Sequence, residues 1–391
     1  MKATTSSLVR RLALSAVALV ASSAGAKDVL VYKEADPWGR TPISADPAQP
    51  GRLAIGGVAS RCQSRNAVHY SDDGGLHWVP RCLPFPPESY FLIEEPSIAF
   101  GETGAMLAAT SAYDGPNEGL FVARSEDDGQ TWTWTELFSL EHFHARDALI
   151  PADHHPKSPY KGSVYIAHST SSEEGQEPHV AISRDDGRSW SIAKIPALSS
   201  ATGLAIDRRG RLFLNDAASL ARSDDGGATW HELGLAAGGT GGALAIDTTN
   251  GPRGGTLYFA SLMSTGMQNT VVLSRSEDAG VHWTEARPIA TVTGDQTSLT
   301  ISVGPQGEVA VAWLDQRSDP EHLRYQPWVV FSPDGGLSFG QPQPLGNDLT
   351  TPPQGGALRL SQTWSGRSLH AAFLGTGKQA QLTIRSGKTR P

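Results

Sequence analysis

The sequence predicts an all-β fold, a β-propeller of four-stranded blades, with seven blades favoured, six as the alternative, and the ring closed by the N-terminal strand. Three observations predict it. One eight-residue motif occurs six times along the 391 residues. Counted from their first serine, the copies advance by 54, 58, 40, 53 and 56 residues, close to the length of a four-stranded blade with its loops. Most copies are also preceded by two apolar strand signals. Gly 42 and Pro 26 are spread along the chain and Trp 10 accompanies them, which suits many turns between short strands and argues against disorder.

The first element is a leader. Lys2, Arg10 and Arg11 supply positive charge, Leu12 to Val20 is a short apolar stretch, and Ala24-Gly25-Ala26 fits the small-residue cleavage rule. Residues 1–26 therefore read as a signal peptide and 27–391 as a single propeller domain, secreted or periplasmic. No later segment reaches the roughly 20 apolar residues that a bilayer-spanning helix requires. After the leader, Val29-Leu30-Val31-Tyr32 is a strand with no hairpin partner of its own.

The repeat follows. Its copies are Ser71 to Trp78, Ser125 to Trp132, Ser183 to Trp190, Ser223 to Trp230, Ser276 to Trp283 and the weaker Ser332 to Phe339. The shared pattern is Ser-x-Asp-x-Gly-x-[Thr/Ser/His]-Trp, with Asp73, Asp127, Asp185, Asp225, Asp278 and Asp334 at its third position. Each copy follows an apolar strand such as Leu120 to Arg124, which places it on a hairpin turn. There the Asp accepts hydrogen bonds from turn N–H groups, the Gly supplies a positive φ, and the Trp packs between sheets. These residue types are demanded by folding. Beyond the sixth copy, Leu358 to Gln362, Leu369 to Phe373 and Gln381 to Arg385 form three strands without a box, leaving a place for the N-terminal strand.

Without the leader the chain has 29 Lys+Arg against 40 Asp+Glu, a net charge of −11 by residue count. With no basic stripe, nucleic acid is excluded as a partner. Cys62 and Cys82, twenty residues apart in the first unit, are expected to pair as a disulfide in an oxidising compartment.

The repeated motif resembles the Asp-box, or BNR, repeat of the sialidase-like superfamily, over nearly the whole chain after the leader. The resemblance implies the scaffold and not the chemistry, because the box is shared by propellers of different activity. Sialidases also share three arginines that grip the substrate carboxylate, an Asp acid/base, and a Tyr nucleophile assisted by Glu. Their first Arg lies in Phe/Tyr-Arg-Ile-Pro, and Gly39-Arg40-Thr41-Pro42 is a partial match at the corresponding place. The acid/base should fall within Ser60 to Asn66 and the Glu within Gly234 to Gly242, yet neither stretch holds a carboxylate. Later units offer Arg317 and Arg324-Tyr325.

In a propeller the loops joining the second to the third strand, and those leaving the outermost strand, share the face opposite the box turns, and ligand sites favour that face. Catalytic candidates there are Arg40, Glu95, Asp147, Asp295, Asp315 and Arg317, and ligand-binding candidates are Trp38, Arg40, His144, Arg146, Gln296 and Gln354. Four histidines among carboxylates at Glu141 to His155 match no closed zinc spacing and read as a polar loop, so no metal or other cofactor is predicted, a structural cation staying open. The preferred reading is an exported sialidase-like propeller, monomeric, that binds a carbohydrate or an extracellular protein without the full sialidase set. An active exo-acting glycoside hydrolase is the alternative, and a structural or assembly-factor propeller the second alternative.

Overall fold

The computed structural model describes residues 27–386 apart from 34–40, 87–90, 93–95, 116, 142–143, 173–174, 197, 217–218, 236–238, 265, 267, 291–293, 347–348, 351–358 and 376–378. The chain opens with β1 (Lys27–Lys33). Blade 1 is β2 (Ile43–Ala45), β3 (Leu53–Val58), β4 (Asn66–Ser71) and β5 (Val79–Cys82). Blade 2 is β6 (Phe91–Leu92), β7 (Ser97–Phe100), β8 (Met106–Tyr113), β9 (Asn117–Ser125) and β10 (Thr133–Glu141), with β6 and β7 both pairing β8. Blade 3 is β11 (His144–Leu149), β12 (Val164–Ser172), β13 (Gly175–Ser183) and β14 (Ser191–Lys194). Blade 4 is β15 (Gly203–Ile206), β16 (Leu212–Asn215), β17 (Ser219–Ser223) and β18 (His231–Gly234). Blade 5 is β19 (Thr240–Ile246), β20 (Leu257–Ser264), β21 (Asn269–Ser276) and β22 (Arg287–Pro288). Blade 6 is β23 (Gln296–Val303), β24 (Val309–Asp315), β25 (Gln326–Ser332) and β26 (Gln343–Pro344).

The last sheet holds β27 (Ser361–Ser365), β28 (Ser368–Gly375) and β29 (Gln379–Ser386), and its outermost strand is β1. Lys27 faces Ile384 and Lys33 faces Gln379 in an antiparallel ladder, so the two ends of the described chain meet within one sheet. The ladder covers an edge of β29 that would otherwise present unpaired N–H and C=O groups. There are seven sheets, every pairing within them is antiparallel, and no helix is present among the described residues.

Innermost strands of neighbouring sheets touch: β2 contacts both β7 and β27, β19 contacts β15 and β23, and β23 contacts β27. The core accordingly lies in slabs between successive sheets. Ala99, Leu107 and Val122 of blade 2 pack on Val164, Ile166 and Ala181 of blade 3. Tyr165 and Ala167 of blade 3 pack on Leu212 and Leu214 of blade 4. Both faces of the middle strands are covered, which is why β3, β4, β16 and β24 are buried along their whole length, and β3, β16 and β24 read as nearly continuous apolar runs. Close approach also dictates Gly56, where a Cβ would lie 1.8 Å from the Pro96 carbonyl oxygen of blade 2.

The six repeated turns join the third strand to the fourth in blades 1 to 6, and their geometry is uniform. The Asp Oδ1 accepts the N–H four residues on, at 3.0, 2.8, 2.8, 2.9, 2.9 and 2.9 Å for His77, Thr131, Ser189, Thr229, His282 and Ser338. Its Oδ2 takes the hydroxyl or imidazole of that same residue, while the leading Ser donates to Oδ1 and accepts the Gly N–H. The Gly at the fifth position has φ between 76° and 100° in all six copies. Five copies end in a half-buried Trp, which in four of them, Trp78, Trp190, Trp230 and Trp283, donates its indole N–H to the turn's own Gly carbonyl.

These donors hold the carboxylates ionised. At Asp127 and Asp278 the backbone and side-chain bonds of the residue four on lower the pKa to about 2. At Asp73, Asp185 and Asp225 burial works in the opposite direction and the donors outweigh it, again giving about 2. Cys62, in the loop between β3 and β4, is disulfide-bonded to Cys82 at the end of β5 and ties the outer strand to that loop.

Candidate functional site

The loop face is built by the connections from second to third strands and from each outer strand to the next blade. Blade 6 contributes its best-defined part. Asp295 precedes β23, Gln296 begins it, Asp315 ends β24, and residues 316–325 lead into β25. The pairing of β23 with β24 sets Gln296 opposite Asp315. Four of the sequence-predicted residues therefore stand together.

Asp315 is fully buried and accepts from four donors. Trp313 Nε1 lies 2.8 Å away, Arg317 N 3.1 Å, Arg317 Nε 2.9 Å and Arg317 Nη2 2.6 Å. The Arg317 guanidinium also lies 3.9 Å above the Trp328 ring, so charge pairing and stacking fix it together. A carboxylate at zero exposure, saturated by its own loop, is a structural anchor and not an accessible acid or base.

Arg324 is held in the same way. Its Nη2 donates to buried Asp319 at 3.0 Å, and that bond is the main cause holding the Asp319 carboxyl at about 2. Leu323 N and Arg324 N donate to the same carboxylate, closing the loop on itself.

Asp295 is accessible by comparison. Its Oδ1 accepts Asn269 N at 2.9 Å and Asn269 Nδ2 at 3.1 Å, while its Oδ2 faces the Tyr325 hydroxyl at 3.5 Å. Burial raises the Tyr325 pKa and the Asp295 charge adds to it, so the phenol keeps its proton and has a carboxylate beside it to receive one. Gln296 is buried, accepts Val271 N–H through its side-chain oxygen, and leaves its buried Nε2 without a partner. Asp319 and Asn269 were not visible from the sequence as members of this cluster, because nothing local to them predicts which loops converge.

His144, Arg146 and Asp147 lie in β11, with His144 opposite Ser171 and Arg146 opposite Ser169. Trp38, Arg40, Glu95 and Gln354 lie outside the described residues. The histidine-rich stretch is divided by the fold. Asp153, His154 and His155 fall on the hairpin between β11 and β12, at the end of β11 away from His144. There Asp153 is buried and accepts His155 N at 3.0 Å, and His154 Nε2 bonds the Phe100 carbonyl at 2.9 Å. No group of three or more His, Cys, Asp or Glu suited to a metal occurs among the described residues.

No family model matches the chain, and no curated protein matches it. Solved structures do. An α-L-arabinanase of Penicillium chrysogenum complexed with arabinobiose aligns over 93% of this chain and 99% of its own, at TM-score 0.54 and 13% identity. The NanB sialidase of Streptococcus pneumoniae aligns over 93% and 95%, at TM-score 0.50 and 10% identity. A YCF48 protein bound to a D1 peptide aligns over 96% and 99%, at TM-score 0.50 and 15% identity. At such identities the likeness is one of fold and leaves the chemistry open. The chain has the fold of a sialidase-like β-propeller.

Proposed function

We propose that this chain, exported by its N-terminal leader, is a binding propeller that engages a carbohydrate or an extracellular protein through its loop face without the full sialidase catalytic set. One observation carries the reading: Arg317 and Arg324, the arginines that the later units offer to a substrate carboxylate, are each turned onto a buried carboxylate of their own loop. A guanidinium engaged in this way keeps only its remaining N–H groups for a ligand, and cannot present its paired edge without breaking the internal ion pair. Among fold neighbours, a YCF48 protein is bound to a peptide, which supports a protein partner as one form of this reading.

A hydrolytic alternative draws on a different observation, the Tyr325 hydroxyl 3.5 Å from the Asp295 carboxylate. A phenol beside a base is the arrangement that an ionising Tyr nucleophile needs. Incubating the purified mature protein with a fluorogenic sialoside, then screening it on a glycan array and against extracellular proteins, separates the two. The binding reading expects saturable capture and no release of fluorophore. Release that is lost on Tyr325→Phe would replace it with the hydrolytic one.

A further inference from the structure

On the face that carries the repeated turns, the seam between blades 4 and 5 holds a cavity of about 480 Å³. Arg208, Arg209 and Arg211 enter it from the hairpin between β15 and β16, Arg253 and Gly254 from the hairpin between β19 and β20, and Ala279 from the turn of blade 5.

At two other seams this position holds a carboxylate, while the turns of blades 1, 4 and 6 have Gly74, Gly226 and Gly335 there. The fourth residue of the turn in blade 2 is Asp128, whose carboxylate receives Arg52 from the hairpin of blade 1. In blade 3 it is Asp186, which accepts Glu102 N at 2.6 Å, the Thr103 hydroxyl, and Arg124 Nη2 at 3.3 Å from blade 2. Blade 5 has Ala279 at this place in the same left-handed backbone, φ 59° against 59° for Asp128 and 61° for Asp186. A methyl group stands there, packed with Phe213, Leu220 and Leu257, the Ala279 carbonyl accepts Arg222 Nη1 at 3.2 Å, and the three arginines of the β15–β16 hairpin line the same cavity.

Only one of those three is neutralised. Arg211 pairs with buried Asp207 at 2.7 Å. Arg208 reaches only the Thr249 carbonyl, through Nη1 at 3.2 Å, and the exposed Arg209 guanidinium makes no hydrogen bond or ion pair among the described residues. On the opposite wall the Arg253 guanidinium turns toward blade 6, where its Nη2 donates to the Pro333 carbonyl at 3.2 Å and its Nε lies against Gly335, so Arg253 adds charge to the cavity and no free donor. Gly254 is required for this assembly: a Cβ there would lie 2.6 Å from Arg208 Nη1 and 2.2 Å from the Thr249 carbonyl oxygen. Four arginines, Arg208, Arg209, Arg211 and Arg253, line the cavity against three carboxylates, Asp207, Glu277 and Asp278, which leaves an excess of one positive charge. Asp278 is engaged by its own turn through Ser276 and His282, and Glu277 points outward, 71% exposed, toward Arg275 at 3.5 Å.

We propose that this cavity is an anion site taking a tetrahedral oxyanion, a phosphate or sulfate group, in the place that Asp128 and Asp186 fill at two other seams. Guanidinium forks recognise such oxygens by paired charge-assisted hydrogen bonds. No aromatic side chain lines the cavity, so recognition is by charge and hydrogen bonding and not by stacking.

Calorimetric titration and thermal melts of the mature chain with inorganic phosphate, sodium sulfate and sodium glucuronate, at ionic strength held constant with chloride, test this. Saturable binding of phosphate or sulfate, with a melting temperature above the chloride control, is expected. The stronger of the two identifies the ester class. Arg208→Ala/Arg209→Ala should weaken that binding by about tenfold or more. Ala279→Asp should remove it while raising the melting temperature without anion, because the substituted carboxylate occupies the site from within. Absence of saturable binding, equal binding of glucuronate, or binding unchanged in a folded Ala279→Asp variant would each overturn the proposal.

Discussion

Acid should unfold this protein in a window set by three buried histidines. His69, His168 and His370 are 1%, 1% and 2% exposed, and each has an Nδ1 with no hydrogen-bond partner. Protonation would place a charge and an unsatisfied N–H inside the sheets. Burial accordingly lowers their pKa values from 6.5 to about 4, about 3 and about 4, with the neighbouring His179 adding to the effect at His168. The unfolded chain thus binds more protons than the folded one below pH 6.5, and stability falls as pH falls from there toward pH 4. Each ring contributes about 1.4 kcal/mol per pH unit, or about 2 kcal/mol between pH 6.5 and pH 5, and the three together about 6 kcal/mol. Asp73, Asp127, Asp185, Asp225 and Asp278, lowered from 3.8 to about 2 by their turns, are ionised in folded and unfolded chain alike down to about pH 5 and do not mask the histidines above it. His168 stacks between Phe138 at 4.9 Å and His179 at 5.5 Å, so His168→Phe keeps a flat ring in the stack and removes one proton site. Urea unfolding at pH 7.5 and pH 5.0 should show the parent losing several kcal/mol and His168→Phe losing about 2 kcal/mol less. Equal stability at both pH values, or an identical pH slope in the variant, would refute the reasoning.

Other perturbations follow from contacts already described. Arg317→Ala leaves Asp315 charged at zero exposure and should cost about 3–5 kcal/mol in chemical denaturation, whereas replacing the more exposed Arg188 should change little. Asp225→Ala removes the acceptor of Thr229 N and Thr229 Oγ1 and should lower stability by about 1–2 kcal/mol, read as a drop in thermal midpoint. Reducing the Cys62–Cys82 bond frees a closed loop of twenty residues and should cost about 3 kcal/mol, seen by comparing melts with and without reductant. Deleting Lys27–Lys33 uncovers the edge of β29 and should yield a chain that self-associates in size-exclusion chromatography while the parent does not.

The scaffold was legible because its signals are local. Ser71, Asp73, Gly75 and Trp78 satisfy one another within eight residues, so the same chemistry recurs wherever the chain makes that turn, and its spacing then locates the six blades that carry it. The disulfide was legible for the same reason, two cysteines twenty residues apart in one repeat unit. Blade 2 was less so. Its inner edge is shared by β6 and β7, both paired to β8, and the residues between them give no periodic signal that announces two short strands in place of one.

The loop face was legible as a set of positions and not as chemistry, and Asp315 shows why. From the sequence it is a carboxylate at the end of a strand with Arg317 two residues on, the kind of pair an active site uses. Whether it faces ligand or core depends on Trp313 and Trp328, which belong to two strands brought into register by the blade: Trp313 bonds the carboxylate and Trp328 stacks on the Arg317 that pairs with it. Asp295 differs from it in being only part-buried and in having a phenol and an asparagine as partners where Asp315 has an indole and a guanidinium. The same long-range dependence explains the seam between blades 4 and 5. Ala279 is an unremarked residue of its turn until Asp128 and Asp186 show that this backbone position faces the preceding blade, and only then does an alanine opposite three arginines become a site. An internal repeat therefore supplies its own comparison: Asp128 and Asp186 show what a side chain at this left-handed position can reach, and where Ala279 stands beside arginines that no carboxylate meets, the charge left over names the class of ligand to test.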